Sequence, residues 1–205
     1  MSISPRQQVK QRFTGSSFFG FSKGLNRSSI LESKLELEYY ALRLFFLNKD
    51  EDFITQPDHV VHHLYGRPNR YTPDGALYLP TTVYKEEVKY FDVTLKTEFI
   101  EKKEYLTELY ATKNEVFRVI TEEDIRVGHR VDNIARLSPS LHHPAPIKAF
   151  KELTEGLDNK GYDFLELIEI ARDKKIDSLL VQRSIAHRLF TCDLTQKWKD
   201  LVFFV

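Results

Sequence analysis

Arg70-Tyr71-Thr72-Pro73-Asp74-Gly75-Ala76-Leu77-Tyr78-Leu79, the break Pro80-Thr81-Thr82, and Val83-Tyr84-Lys85-Glu86-Glu87-Val88-Lys89-Tyr90-Phe91 decide how this chain is read. The two outer stretches are rich in Tyr, Val, Leu and Thr, and the break carries turn chemistry, which predicts an antiparallel hairpin. Side chains alternate along a strand. Val83, Lys85, Glu87, Lys89 and Phe91 therefore take one face, and Tyr84, Glu86, Val88 and Tyr90 the other. Twelve residues separate Asp74 from Glu87, and a hairpin of that size lays Asp74 beside Glu87 and Lys89. Two carboxylates and a lysine then converge.

Such a set suits a hard divalent cation, usually Mg²⁺ held by one or two carboxylates with water and substrate phosphate. A metal there polarises a phosphoryl oxygen and acidifies a bound water, while a lysine orients that water and offsets developing negative charge. Each piece has a plainer reading: Glu-Val-Lys as a solvated strand face, Pro-Asp as a turn, Glu36 as a surface glutamate. Their order and spacing together favour a site, with Glu36 completing the acidic cluster from the helix before the hairpin.

That helix is expected to start at Ser29, where Ser29 and Glu32 have capping-box spacing, and to end within Asn48 to Asp52. Leu31, Leu35, Leu42 and Phe45 recur at helical spacing, and Leu37, Ala41 and Leu44 widen the apolar stripe. Glu32, Glu36, Tyr40 and Arg43 form a polar stripe away from it. After the hairpin, Glu98 to Lys113 reads as a helix with Phe99, Ile100, Leu106, Leu109 and Tyr110 inward, Val116 to Thr121 as a short buried strand, and Glu122 to Leu137 as another helix. The order α, β, β, α, β, α predicts an α/β domain with a mixed sheet flanked by helices over residues 28–138.

Ser138-Pro139, followed by His142, His143, Pro144 and Pro146, reads as a linker to a module over 147–205. Ile147 to Leu157, Asp163 to Lys174 and Ser178 to Phe190 look helical, with Asp163 and Asp177 as N-caps, and Lys197 to Val205 looks strand-like. Three helices and a closing strand suggest a small helix-turn-helix or winged-helix-like module. Residues 1–27 carry Arg6, Lys10, Arg12, Lys23 and Arg27, no acid, and the aromatic cluster Phe18, Phe19, Phe21. They read as a flexible basic arm ahead of an acidic body, ordering on a partner.

Thirty basic residues balance thirty acidic ones, which excludes a protein that coats nucleic acid by bulk charge. The longest apolar runs are far too short to span a bilayer, no secretory signal is evident, and the lone Cys192 allows no internal disulfide, so a cytoplasmic location is expected. His59, His62 and His63 have loose metal-ligand spacing but no Cys, and read as exposed loop or strand residues. Cys192 reads as a small buried hydrophobe and Trp198 as core of the terminal module. Arg67, Arg70 and Lys85 are either contacts to a DNA backbone or solvated charge.

Ser33-Lys34-Leu35-Glu36-Leu37 on a helix, Gln56-Pro57 after it, Arg70-Tyr71-Thr72-Pro73-Asp74 opening a strand, Glu87-Val88-Lys89 on the next, and Phe117-Arg118-Val119-Ile120-Thr121-Glu122-Glu123-Asp124-Ile125 closing the fold resemble the TnsA family over about residues 29–137. This is the endonuclease subunit of the Tn-seven-type heteromeric transposase. The resemblance implies a restriction-endonuclease-like fold and a Mg-dependent PD-(D/E)xK nuclease, with Mn²⁺ able to substitute. Glu36, Asp74 and Lys89 fall on the family's catalytic Glu, Asp and Lys, Glu87 falls where some members carry Gln, and Val88 offers its carbonyl to the metal. It further implies hydrolysis on the 5′ side of each transposon end in a bacterial cytoplasm, while a TnsB-like transposase cuts the 3′ side and a TnsC-like ATPase regulates. Two other readings stand beside it: a free-standing restriction or repair nuclease, and an inactive adaptor between transposase and targeting complex. Gly75 departs from the bulky apolar residue common in the family, and the chain ends at the expected closing strand, before the region that holds the regulator in longer members.

Overall fold

The computed structural model describes residues 18–22, 25–31, 33–158 and 160–205. The chain forms two compact units, Met1–Ile125 and Arg126–Val205. The boundary thus lies ahead of the Ser138–Pro146 stretch read as a linker.

In the first unit the predicted hairpin is present, closed by Leu79 and Thr82 exchanging backbone hydrogen bonds at 2.9 and 3.4 Å. Its strands are shorter than expected. Arg70 to Leu79 is broken at Thr72-Pro73-Asp74 into β5 (Asn69–Tyr71) and β6 (Gly75–Tyr78), because Pro73 has no amide hydrogen to continue a ladder. β7 (Val83–Lys89) stops where Tyr90 caps a short helix, α2 (Phe91–Thr94). β6 pairs antiparallel with both β7 and β3 (Asp52–Thr55), and β7 pairs in parallel with β8 (Glu115–Thr121), giving a mixed sheet in the order β3-β6-β7-β8. β8 is thus an edge strand, and Val116 is 44% exposed rather than buried. β5 pairs instead with β4 (Val60–His62) in a separate ribbon.

The first helix, α1 (Lys34–Phe46), begins later than predicted. Ser33 caps it by accepting the Glu36 amide at 3.1 Å, an equally good capping chemistry four residues further on. Ser29 lies in β2 (Leu25–Leu31), paired with β1 (Phe18–Ser22), so the part of the presumed flexible arm that is described forms a strand ribbon. The rest of that arm, residues 1–17 and 23–24, lies outside the described residues, as does Glu32. Leu35, Leu42 and Phe45 are buried as their spacing predicts, and so is Tyr40, which the sequence placed on a polar stripe. α3 (Thr97–Ala111) buries Phe99, Leu106 and Tyr110, while Ile100 is outward. Val60, Tyr71, Leu106, Tyr110 and Phe117 form one apolar cluster under this helix, with Leu109 packed at its edge. His62, expected to be exposed, is buried beside the rings of Tyr71 and Tyr105.

Glu122 to Leu137 is two helices, α4 (Glu122–Ile125) in the first unit and α5 (Arg130–Leu137) in the second. Gly128, at a φ of 53°, separates them, and a Cβ there would lie 2.3 Å from the Thr195 carbonyl oxygen. In the second unit Ser138–His142 forms a 3₁₀ turn, followed by α6 (Ile147–Thr154), α7 (Phe164–Asp173) and α8 (Ser178–Ala186). Asp163 and Asp177 are the N-caps of α7 and α8, as expected. The tail is not a strand: a 3₁₀ turn, Trp198–Asp200, precedes isolated bridges from Phe203 to Tyr162 and from Phe204 to Thr191. Trp198 is half-buried, with Phe164 and Phe203 at its edges and the Arg136 guanidinium 4.8 Å from its ring centre. Cys192 is half-buried, and burial with the nearby Asp193 pushes its thiol up to about 11. No helix among the described residues is long and apolar enough to cross a membrane.

Candidate active site

β7 lies between β6 and β8, so successive residues face opposite layers and both layers are covered. Glu86 and Glu87 are adjacent in sequence and both buried, at 0% and 3% exposure, in two separate polar environments. Burial of carboxylates on this scale requires partners on each side.

On one face, the β6–β7 register pairs Gly75 with Glu86, and one step further brings Asp74 level with Glu87. Asp74 Oδ2 accepts the Val88 amide at 2.7 Å, which fixes the carboxylate at the end of the hairpin ladder. Lys89 Nζ stands 2.8 Å from Glu87 Oε1, 3.1 Å from the Val88 carbonyl oxygen and 3.7 Å from Asp74 Oδ2. Tyr71 donates its hydroxyl to Glu87 Oε2 at 2.5 Å, and Lys102 from α3 reaches within 3.9 Å of Glu87 Oε1. Burial first, and then the Glu87 carboxylate, hold the Tyr71 phenol well above its usual range, so it stays a donor. Nearby His62 is pushed down by burial first and then by Lys102 and His63; its Nδ1 accepts the Leu64 amide at 3.3 Å.

Two backbone features hold this end of the sheet. Gln56 adopts a φ of 45°, uncommon for a residue with a side chain, and its amide donates to the Asp74 carbonyl at 3.0 Å. Gly75 has no room for a side chain: a Cβ would lie 2.5 Å from the Tyr39 hydroxyl and 2.7 Å from the Phe53 ring. The glycine that departs from the TnsA pattern is therefore matched to two aromatic residues of this chain.

Of the residues singled out in the sequence, the structure brings Asp74, Glu87, Val88 and Lys89 together. Glu36 is different. It occupies the third position of α1, and its carboxylate accepts the Ser33 hydroxyl at 3.4 Å. It holds the capping-box position that the sequence reading gave to Glu32. Among the described residues no group of three or more His, Cys, Asp or Glu side chains is placed to hold a metal ion. The oxygens that surround Lys89 Nζ, two carboxylates and a carbonyl, are nonetheless hard donors of the kind that bind Mg²⁺ sparsely, with water and phosphate completing the shell.

The opposite face carries residues that the sequence did not flag. Glu86 accepts from Arg43 Nε and Nη2 at 2.8 and 2.7 Å, from Arg118 Nε at 2.5 Å, and from the Tyr39 hydroxyl. Arg118 also stacks 4.0 Å over the Tyr84 ring. Lys85, a candidate DNA contact, is instead paired with Glu115 at 3.2 Å with its side chain 11% exposed, whereas Arg67 and Arg70 are exposed. A signal for the Glu86 cluster existed: a central strand covered on both faces buries both of its alternating sets.

In comparison with known proteins, no family model matches the chain and no curated protein matches it.

Proposed function

We propose that the chain is a DNA endonuclease of restriction-endonuclease-like fold, acting as the TnsA-type subunit of a heteromeric transposase. In that role it hydrolyses one phosphodiester on the 5′ side of each transposon end, while a TnsB-like partner cuts the 3′ side and a TnsC-like ATPase regulates. The observation that carries this reading is the convergence of Asp74, Glu87, the Val88 carbonyl and Lys89 at one end of two paired strands, in PD-(D/E)xK order.

Asp74, Glu87 and the Val88 carbonyl are the residues that would hold Mg²⁺ or Mn²⁺. A bound cation supplies Lewis-acid polarisation of the phosphate and a water of lowered pKa. Lys89 offsets negative charge as it develops on the phosphate, and Tyr71 fixes the Glu87 carboxylate so that its second oxygen faces the site. Residues 147–205, with the helices α6, α7 and α8 and the closing bridges, are read as the winged-helix-like module. The neutral overall charge fits a subunit that binds DNA weakly by itself.

The test is cleavage of a labelled transposon-end duplex with the element's own transposase. Wild type should give 5′ and 3′ cuts, and Asp74→Ala the 3′ cut alone. Cleavage without the transposase would instead indicate a free-standing nuclease. One observation favours the adaptor reading: Asp74 and Glu87 already lie beside two ammonium groups, Lys89 and Lys102, so their proximity needs no cation. An adaptor predicts no 5′ cut with the wild type and a 3′ cut that Asp74→Ala leaves unchanged.

A further inference from the structure

The buried stripe of α3 contains one charged residue. Phe99, Leu106 and Tyr110 stand at i, i+7 and i+11 and are all buried. Lys102, at i+3, falls on the same stripe, where an apolar residue is expected. Its Nζ lies 4.5 Å over the Tyr71 ring and 3.9 Å from Glu87 Oε1, with the side chain 33% exposed. The aromatic face lies against the cation, and the side chain keeps about a third of its surface in solvent.

Charge decides what that ligand is. Glu87 Oε1 is already 2.8 Å from Lys89, and its other oxygen is bonded to Tyr71, so Lys102 is the second ammonium on one carboxylate oxygen. Asp74, Glu87, Lys89 and Lys102 together are neutral. Once the two carboxylates serve a divalent cation, both ammonium groups face an excess of positive charge that only an anion relieves. We propose that Lys102 is a substrate-positioning residue that takes a DNA backbone phosphate next to the one facing Lys89. This rests on the nuclease reading above.

The test uses the full chain, a fluorescein-labelled duplex in Ca²⁺ at low salt, and anisotropy. Lys102→Gln, which removes the charge, should weaken duplex binding by about tenfold and lower the slope of log affinity against log salt by about one. Lys102→Arg should keep the wild-type slope, because it restores the charge. A lowered melting temperature with an unchanged slope in Lys102→Gln marks a merely structural lysine and overturns the proposal, as does a wild-type chain with no measurable affinity for the duplex. Mn²⁺ calorimetry keeps the two claims apart. Binding retained in Lys102→Gln and lost in Asp74→Ala leaves the cation site standing whichever way the duplex result falls. Binding unchanged in Asp74→Ala overturns the nuclease reading and the role of Lys102 with it.

Discussion

Tyr71 and Glu87 are joined by a 2.5 Å hydrogen bond between two different sheets, β5 in its two-stranded ribbon and β7 in the centre of the mixed sheet. The break at Pro73 that ends β5 makes this possible: it lets Tyr71 turn over the Glu87 face while Asp74 enters the ladder beside it. A buried carboxylate that loses such a donor retains its desolvation cost. Tyr71→Phe should therefore destabilise the first unit by about 1.5–3 kcal/mol, read by denaturant titration.

The buried phenols also set a pH limit. Burial first, and then Glu86, raises Tyr39; burial and then Glu87 raises Tyr71; burial and then Glu115 raises Tyr110. A group with a raised folded pKa stabilises fully below its unfolded value and ceases to do so as pH rises towards the folded one. Stability should thus be flat in this respect below pH of about 10, where free tyrosine begins to ionise, and fall above it. Tyr39→Phe should flatten that alkaline fall in a melting-temperature series.

Glu86 bonds both Arg43 and Arg118, and it is fully buried. Removing one partner of a buried ion pair leaves the other charges uncompensated, so Glu86→Gln should cost about 3–5 kcal/mol. Chemical denaturation checks it; a loss below about 1 kcal/mol would show the cluster to be solvated.

Gly75→Ala should destabilise by about 1–3 kcal/mol, since its Cβ would meet Tyr39 and Phe53 in a packed layer. In a double-mutant cycle the Gly75→Ala loss should be smaller in a Tyr39→Phe background, which lacks the hydroxyl at 2.5 Å, than in the wild type.

The hairpin was legible because period-two alternation, a turn and two acids at fixed separation are all local signals. Asp74, Glu87 and Lys89 followed from them. What was hidden is non-local. Arg118 meets Glu86 only because β8 pairs in parallel with β7, a crossover that no turn residue announces, and Lys85-Glu86-Glu87 read alone looks like a solvated face. The start of α1 was misread for another reason: Ser29 and Ser33 offer the same capping chemistry, and pairing of Leu25–Leu31 with Phe18–Ser22 takes Ser29 into a strand. Lys102 left a sequence signal, a lysine in register with Phe99, Leu106 and Tyr110, which is informative only once Tyr71 is known to lie beneath it.

Glu36 separates family correspondence from local geometry. Its carboxylate accepts the Ser33 hydroxyl at the helix cap, so Glu36→Gln should leave Mn²⁺ affinity of the isolated chain within about threefold of wild type, while Ser33→Ala should lower stability by about 1 kcal/mol. A large loss of Mn²⁺ binding in Glu36→Gln would make it a ligand.

Calorimetric titration of Mn²⁺ into the full chain, wild type beside Asp74→Ala, tests the cation site most directly. The account predicts saturable binding in the wild type that disappears in Asp74→Ala with the fold intact by circular dichroism. Equal heats in both proteins, or none in the wild type, would contradict it.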